Sequence, residues 1–244
     1  MQFPGGRLQA LPFAWDTRDK SEGGGHWFHL YPGESVDHRD TLHWTGPNQN
    51  WNFMCAGCHS TNLKKNYDAA CDSYESTWSD INVACEACHG PGSRHIAWAE
   101  SRNTATTPAE GSGNGLLLKL LPPGNWKIDP GTGMARPAAP RNDGAEIEIC
   151  AHCHSRRSLI SEDYIHGRPL LDTHLPSVLE EPLYYPDGQV KDEVYVYGSF
   201  LQSRMYAAGV SCADCHEPHS LKLRAEGNRV CSGCHLAGKF DSPK

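Results

Sequence analysis

The sequence predicts a mainly α chain with long loops and a few short strands, built around a core that its own aliphatic side chains do not supply. Three observations predict it. Ten of the 11 cysteines fall in five copies of one pattern, two cysteines three apart with a histidine directly after the second: Cys55/Cys58-His59, Cys85/Cys88-His89, Cys150/Cys153-His154, Cys212/Cys215-His216 and Cys231/Cys234-His235. Such spacing needs one helical turn, so that both thiols reach one edge of a planar cofactor while the histidine lies beneath its iron; this is the attachment pattern of c-type haem. Second, Gly 24 and Pro 17 in 244 residues make a chain rich in turns. Third, five haems in so short a chain make porphyrin a large part of the interior, where its apolar faces replace Leu, Ile and Val packing.

Two other chemistries use paired cysteines. Zinc knuckles are built from Cys-x-x-Cys, and disulfide frameworks also concentrate cysteine. Neither requires a histidine immediately after every second cysteine. The cofactor expected is therefore haem c, five copies, with His59, His89, His154, His216 and His235 as proximal iron ligands. The formal charge is −7, and ionised haem propionates add roughly ten negative charges. That surface argues against nucleic acid and anionic membranes and suits a positively charged redox partner. No apolar run of roughly 18 residues marks a membrane span. The start, Met1-Gln2-Phe3-Pro4-Gly5-Gly6, lacks a basic n-region and an apolar h-region. Covalent haem attachment nevertheless points to the periplasm or the cell exterior, with the signal removed or the start of the chain missing.

In chain order, residues 1–54 hold no attachment site. Residues 3–15 read as extended chain and turns, and 27–31 as a short strand ending at Pro32-Gly33. Among the histidines here, His43 beside Trp44 and His29 are candidate distal ligands, while His26 and His38 lie among Gly and charged residues. Residues 48–60 form a short helix into the first site, with Asn48 or Asn50 as N-cap. Cys71, the one cysteine without a partner in the pattern, is a free thiol. Before the second site, Thr77-x-x-Asp80 has the form of a capping box. The Gly90-Pro91-Gly92 turn then delivers His95 only six residues after His89, too close to reach the far face of the same haem, so His95 serves a neighbour. Residues 94–100 read as a helix with His95 and Trp98 on one face.

Residues 101–143 are a loop-rich excursion interrupted by an apolar run over 116–121, a buried strand or short helix. A helix over 146–157 carries the third site, with His152 on its exposed side. His166 and His174 are candidate distal ligands from loops. The turn at Tyr184-Tyr185-Pro186-Asp187-Gly188 and the alternation over 194–197 fit a small hairpin. Residues 199–208 read as an amphipathic helix and 225–235 as the last helix. His219, three residues after His216 with Pro218 between, is a further distal candidate aimed at a neighbouring iron. The division expected is 1–100 (haems 1 and 2), 101–143 (loops) and 144–244 (haems 3, 4 and 5), or one continuous multihaem domain.

Cys85 to His95 and Cys212 to His219 resemble the multihaem cytochromes c related to hydroxylamine oxidoreductase and to the tetrahaem electron-transfer cytochrome of ammonia oxidisers. Nearly the whole chain is similar to long bacterial multihaem cytochromes often followed by tetratricopeptide repeats, through Phe3-Pro4-Gly5-Gly6-Arg7-Leu8-Gln9-Ala10-Leu11-Pro12, Trp44-Thr45-Gly46, Cys58-His59-Ser60-Thr61-Asn62, Cys153-His154-Ser155-Arg156-Arg157 and Tyr197-Gly198-Ser199-Phe200-Leu201-Gln202-Ser203. The resemblance implies mostly bis-histidine haems stacked in close pairs, with His95, and by analogy His219, as distal ligands. Those relatives carry further haem sites on both sides, so this chain resembles a middle portion.

Of the 14 histidines, nine are not proximal, enough to cap every iron. Electron transfer is the function expected, because an iron with both axial positions filled passes electrons and binds no substrate. The alternatives are an oxidoreductase acting on a small nitrogen or sulfur compound at one open haem, or a subunit of a larger haem assembly or filament. The Cys-x-x-Cys-Lys site of related nitrite reductases is absent. Expected partners are redox proteins, further haem domains of the same or another chain, or a second copy in a homo-oligomer.

Overall fold

No helix among the described residues exceeds eleven residues, and every sheet is a two-stranded antiparallel ladder. The computed structural model describes residues 1–103, 114–120, 122–141, 144–177 and 179–241. The chain divides into two units, Met1–Ala87 and Cys88–Lys244.

In the first unit, strands β1 (Phe13–Trp15) and β2 (Trp27–His29) pair with Phe13 opposite His29 and Trp15 opposite Trp27. A wide helical turn over Trp51–Cys55 leads into helix α1 (Ala56–His59); the Asn50 side chain caps that turn by accepting the Phe53 N–H at 2.9 Å. Asn52, buried behind this turn, accepts the Leu8 N–H at 2.7 Å and donates to the Ser76 hydroxyl at 2.9 Å. Strands β3 (Tyr67–Asp68) and β4 (Ser73–Tyr74) form the second ladder. Gly6 lies against it at φ +69, where a Cβ would meet the Tyr74 carbonyl oxygen at 2.0 Å, so only glycine fits. Thr77 and Asp80 cap no helix. They bridge to Lys64 and Thr61 as extended chain, and helix α2 (Cys85–His89) begins later.

In the second unit, α3 (Ser93–Asn103) follows the Gly90 turn. Of the 101–143 stretch, residues 104–113, 121 and 142–143 lie outside the described residues. Residues 116–120 form neither strand nor helix. Strands β5 (Trp126–Ile128) and β6 (Ala135–Pro137) pair, then α4 (Gly144–His154) carries the third motif. Strands β7 (Arg157–Leu159) and β8 (His174–Pro176) pair next. The alternation over 194–197 makes no strand, because Tyr195 takes φ +61 and breaks the extension; only a bridge joins Tyr184 to Val190. The helix expected over 199–208 is two, α5 (Tyr197–Leu201) and α6 (Arg204–Ala207). Ser203 turns extended between them and its hydroxyl caps the second by accepting the Tyr206 N–H. Helix α7 (Cys212–Cys215) carries the fourth motif and ends into the ladder of β9 (His216–Glu217) with β10 (Lys222–Leu223). The helix expected over 225–235 is shorter, α8 (Arg229–Ser232), and a further one, α9 (Ala237–Phe240), follows it.

The aliphatic core is small. One cluster joins Ile147 and Ala151 of α4 to Leu170 and Tyr197; a second holds Leu183, Tyr184 and Val194. None of the helices is long and apolar enough to cross a membrane among the described residues.

Candidate functional site

Four of the five Cys-x-x-Cys-His motifs have their histidine, or lie wholly, in the second unit, and their sulfurs form a succession. The Cys150 thiol is pushed up first by its hydrogen bond to the Cys212 thiol, then by burial, with Glu146 and Cys88 adding smaller effects. The third motif therefore touches the fourth and lies near Cys88 of the second. Burial raises Cys215, and the nearby charges of Asp214, Cys231 and Cys212 raise it further. Cys234 is raised by burial, Asp214 and Cys215. The order of neighbours is second, third, fourth, fifth. In the first unit, burial raises Cys55.

Each motif is held differently. After the first and third, a serine closes the helix: the Ser60 hydroxyl donates to the Ala56 carbonyl and Ser155 to the Ala151 carbonyl, both at 2.6 Å. In α4, Glu146 is buried and its Oε1 accepts both the Ser211 hydroxyl and the Ala213 N–H at 2.6 Å, tying the third motif to the fourth. Glu148 accepts the Leu170 N–H at 2.6 Å. Asp214, between Cys212 and Cys215, completes a capping box with Ser211 and also accepts the Gly124 N–H at 2.6 Å and the Trp126 indole N–H at 2.9 Å, with Arg141 at 3.5 Å. Sequence reasoning missed Glu146 and Asp214; an acidic residue inside the motif and another four residues before Cys150 were the only local signals.

His89, expected as a proximal ligand, and the candidate distal histidines differ in what holds Nδ1. A carbonyl oxygen only accepts, so an Nδ1 facing one carries the proton and leaves Nε2 its lone pair for a metal. His89 Nδ1 meets the Leu118 carbonyl at 3.0 Å, and His95 Nδ1 the Asn114 carbonyl at 2.6 Å. His95 also stacks on Trp98 at 5.3 Å. His43 Nδ1 meets the Thr45 hydroxyl at 2.8 Å, with the Thr45 N–H at 3.4 Å. His174 is buried, its Nδ1 2.9 Å from the Thr173 hydroxyl. His219 Nδ1 lies 3.3 Å from Glu217 Oε1. His29 is the opposite case: its Nδ1 accepts the Tyr31 N–H at 3.0 Å, so Nε2 holds the proton.

The structure brings His219 to His89. Their rings are nearly parallel, 11° apart, with centroids 6.1 Å apart. His89 and His219 are thus close enough that both could hold one haem iron, which would supply one-electron chemistry there. His166 packs on Gly90 of the second motif, where a Cβ would stand 3.4 Å from its side chain. His152 corrects an expectation. It is half-buried, stacked on Tyr164 at 4.3 Å and edge-on to His174 at 5.0 Å, because the chain returning at Tyr164 covers that side of α4. Burial, then Arg157 and the other histidines, hold it down to about 3, so it is neutral. His59, His154 and His216 are exposed, and His235 meets the Phe240 ring edge-on at 5.3 Å. His216 is extended, at φ −108 and ψ 150, because α7 stops at Cys215.

These residues fit haem. Among the described residues ten hydrophobic side chains are buried and thirty-two large ones are exposed, an apolar surface suited to porphyrin faces. The Tyr164 hydroxyl is buried without a hydrogen-bond partner among the described residues, a donor suited to a propionate. Among those residues no three Cys, His, Asp or Glu side chains converge on a common metal position.

Family comparison agrees with this chemistry. Residues 34–90 match the model for cytochrome c554 and c-prime, and residues 205–240 match the doubled CXXCH motif. The chain is a multihaem c-type cytochrome. The matched stretches include the motifs at 55–59, 85–89, 212–216 and 231–235; the motif at 150–154 lies outside both. No curated protein and no solved structure matches the cytochrome at a significant level. The matched cytochrome stretches imply haem c binding and electron transfer.

Proposed function

We propose that this cytochrome carries five haems c, each capped on both sides by histidine, and that it conducts electrons along them without binding substrate. The ten motif cysteines form the thioethers, and His59, His89, His154, His216 and His235 are the proximal ligands. The observation that carries the reading is the pair of His89 and His219 rings, nearly parallel and 6.1 Å apart, with each Nδ1 engaged elsewhere. His219 is then the distal ligand at the second site. His95, His166 and His174 are left for the other three irons of the second unit. In the first unit, His43 and His29 are the candidates; the Thr45 hydroxyl lies 2.8 Å from His43 Nδ1, whereas His29 Nδ1 meets a backbone N–H at 3.0 Å.

Haem supplies reversible one-electron chemistry when bound. The chain's own part is to hold neighbouring sites close and to fill each axial position. The succession of cysteines from the second motif to the fifth supports this. The reading extends to the hydroxylamine-oxidoreductase-related superfamily, to a place in the periplasm or outside the cell, and to a positively charged redox partner suited to a chain of charge −7.

Intact mass and pyridine haemochrome test the count, with five haems expected per chain. Electron paramagnetic resonance tests the ligation, with every ferric haem low-spin. Four haems or fewer would refute the count. A high-spin haem that binds nitrite or cyanide would favour an open catalytic site over conduction alone.

A further inference from the structure

His219 has a carboxylate at Nδ1, whereas Nδ1 of His89 and His95 meets a backbone carbonyl and Nδ1 of His43 and His174 lies beside a hydroxyl. We propose that Glu217 sets the reduction potential of the haem attached at Cys85 and Cys88, lowering it by polarising the distal ligand His219; this rests on the bis-histidine reading of that site.

Three observations build the arrangement. Glu217 Oε1 lies 3.3 Å from His219 Nδ1. Its other oxygen, Oε2, accepts the Ser220 N–H at 2.7 Å, which fixes the carboxylate across the same turn that presents His219. The backbone of Glu217 is held in the ladder opposite Lys222. Pro218, between the two side chains, restricts the turn further.

The physical consequence follows from charge. A carboxylate that accepts the Nδ1 proton draws it away from the ring and makes Nε2 a stronger electron donor. A richer donor stabilises ferric iron over ferrous iron. The couple remains one electron, with no bond made or broken, and its potential falls. The carbonyls and hydroxyls at the other histidines carry no net charge and polarise less.

The test is a spectroelectrochemical titration of the full holoprotein at one fixed pH. Glu217→Gln keeps an acceptor for the Ser220 N–H and removes the charge. The expected result is that one haem, and only one, becomes easier to reduce, by about tenfold in its reduced-to-oxidised ratio, equal to about 59 mV for one electron. All haems stay low-spin. Glu217→Asp, which keeps the charge, stays closer to the wild type. Titrations that superimpose for wild type and Glu217→Gln, or equal shifts for both variants, overturn the proposal. His219→Ala checks the reading beneath it: one haem turns high-spin if His219 is a ligand, and if every haem stays low-spin that reading fails instead.

Discussion

His89 and the backbone of Leu118 make two hydrogen bonds, one through the imidazole and one through the main chain: His89 Nδ1 to the Leu118 carbonyl at 3.0 Å, and the Leu118 N–H to the His89 backbone carbonyl at 3.3 Å. The same short loop holds His95 through the Asn114 carbonyl. Gly115 makes the loop turn at φ +76, where a Cβ would stand 2.5 Å from the Arg94 carbonyl oxygen. Gly115→Ala is therefore expected to push the loop off both histidines. The cost is about 1–3 kcal/mol, read as a lower denaturation midpoint together with a new high-spin fraction. A variant with wild-type midpoint and spectrum would mean the loop does not orient these rings.

His95→Ala tests the second loop-held ligand. One haem is expected to become high-spin and to bind cyanide, while the remainder stay low-spin. The readout is the ferric paramagnetic resonance spectrum. Unchanged spin state at every haem would remove His95 from the ligand set.

Glu146 satisfies two donors around the fourth motif at once. Glu146→Ala leaves the Ser211 hydroxyl and the Ala213 N–H without that acceptor in a buried place, at a cost of about 3–5 kcal/mol. Glu146→Gln retains an amide oxygen and is expected to cost about 1–2 kcal/mol. Chemical denaturation of the two variants beside wild type checks the order; equal stability for all three would show that the carboxylate is dispensable.

The turn after β1 carries a pH dependence. Hydrogen bonds from the Arg18 guanidinium, then from its backbone N–H, lower the Asp16 carboxyl from 3.8 to about 2. A carboxyl lowered on folding stabilises the fold above its ordinary value. That contribution is lost as pH falls from about 4 through about 2. Aspartate-labelled carbon NMR is expected to place the Asp16 midpoint near 2, and Asp16→Asn to flatten the acid limb between those values. A midpoint near 4 would mean that Arg18 does not hold the carboxylate in solution.

The local parts of this molecule were legible because they are set by spacing. The motif at Cys55, the Asn50 cap, the strand at Trp27 and the helix carrying His95 with Trp98 are all consequences of residues within one or two turns of each other. What escaped lies between distant residues. Glu146 meets Ser211 across 65 positions and Asp214 meets Gly124 across 90, and no periodicity encodes either contact. His152 looked solvent-facing because the ring that covers it, Tyr164, comes from the next loop. The 199–208 helix is two because apolar spacing carries no mark for a serine that turns out of one helix and caps the next, and the helix expected over 225–235 starts later because Gly227 takes φ +55. Tyr195 broke an alternating strand by taking a left-handed backbone, which an aromatic residue seldom does.

Ten buried apolar side chains among the described residues have a consequence for assembly in the cell. A polypeptide with so little to bury gains little by collapsing before its cofactors arrive, so attachment has to act on a loosely folded chain. Thioether bonds then persist when the protein is denatured. Dissolved haem thus has no differential affinity to exert on native and denatured molecules, and its concentration does not move the melting temperature, unlike that of a dissociable ligand. Once matured, the cytochrome keeps its prosthetic groups through denaturation, and its stability is independent of haem supply.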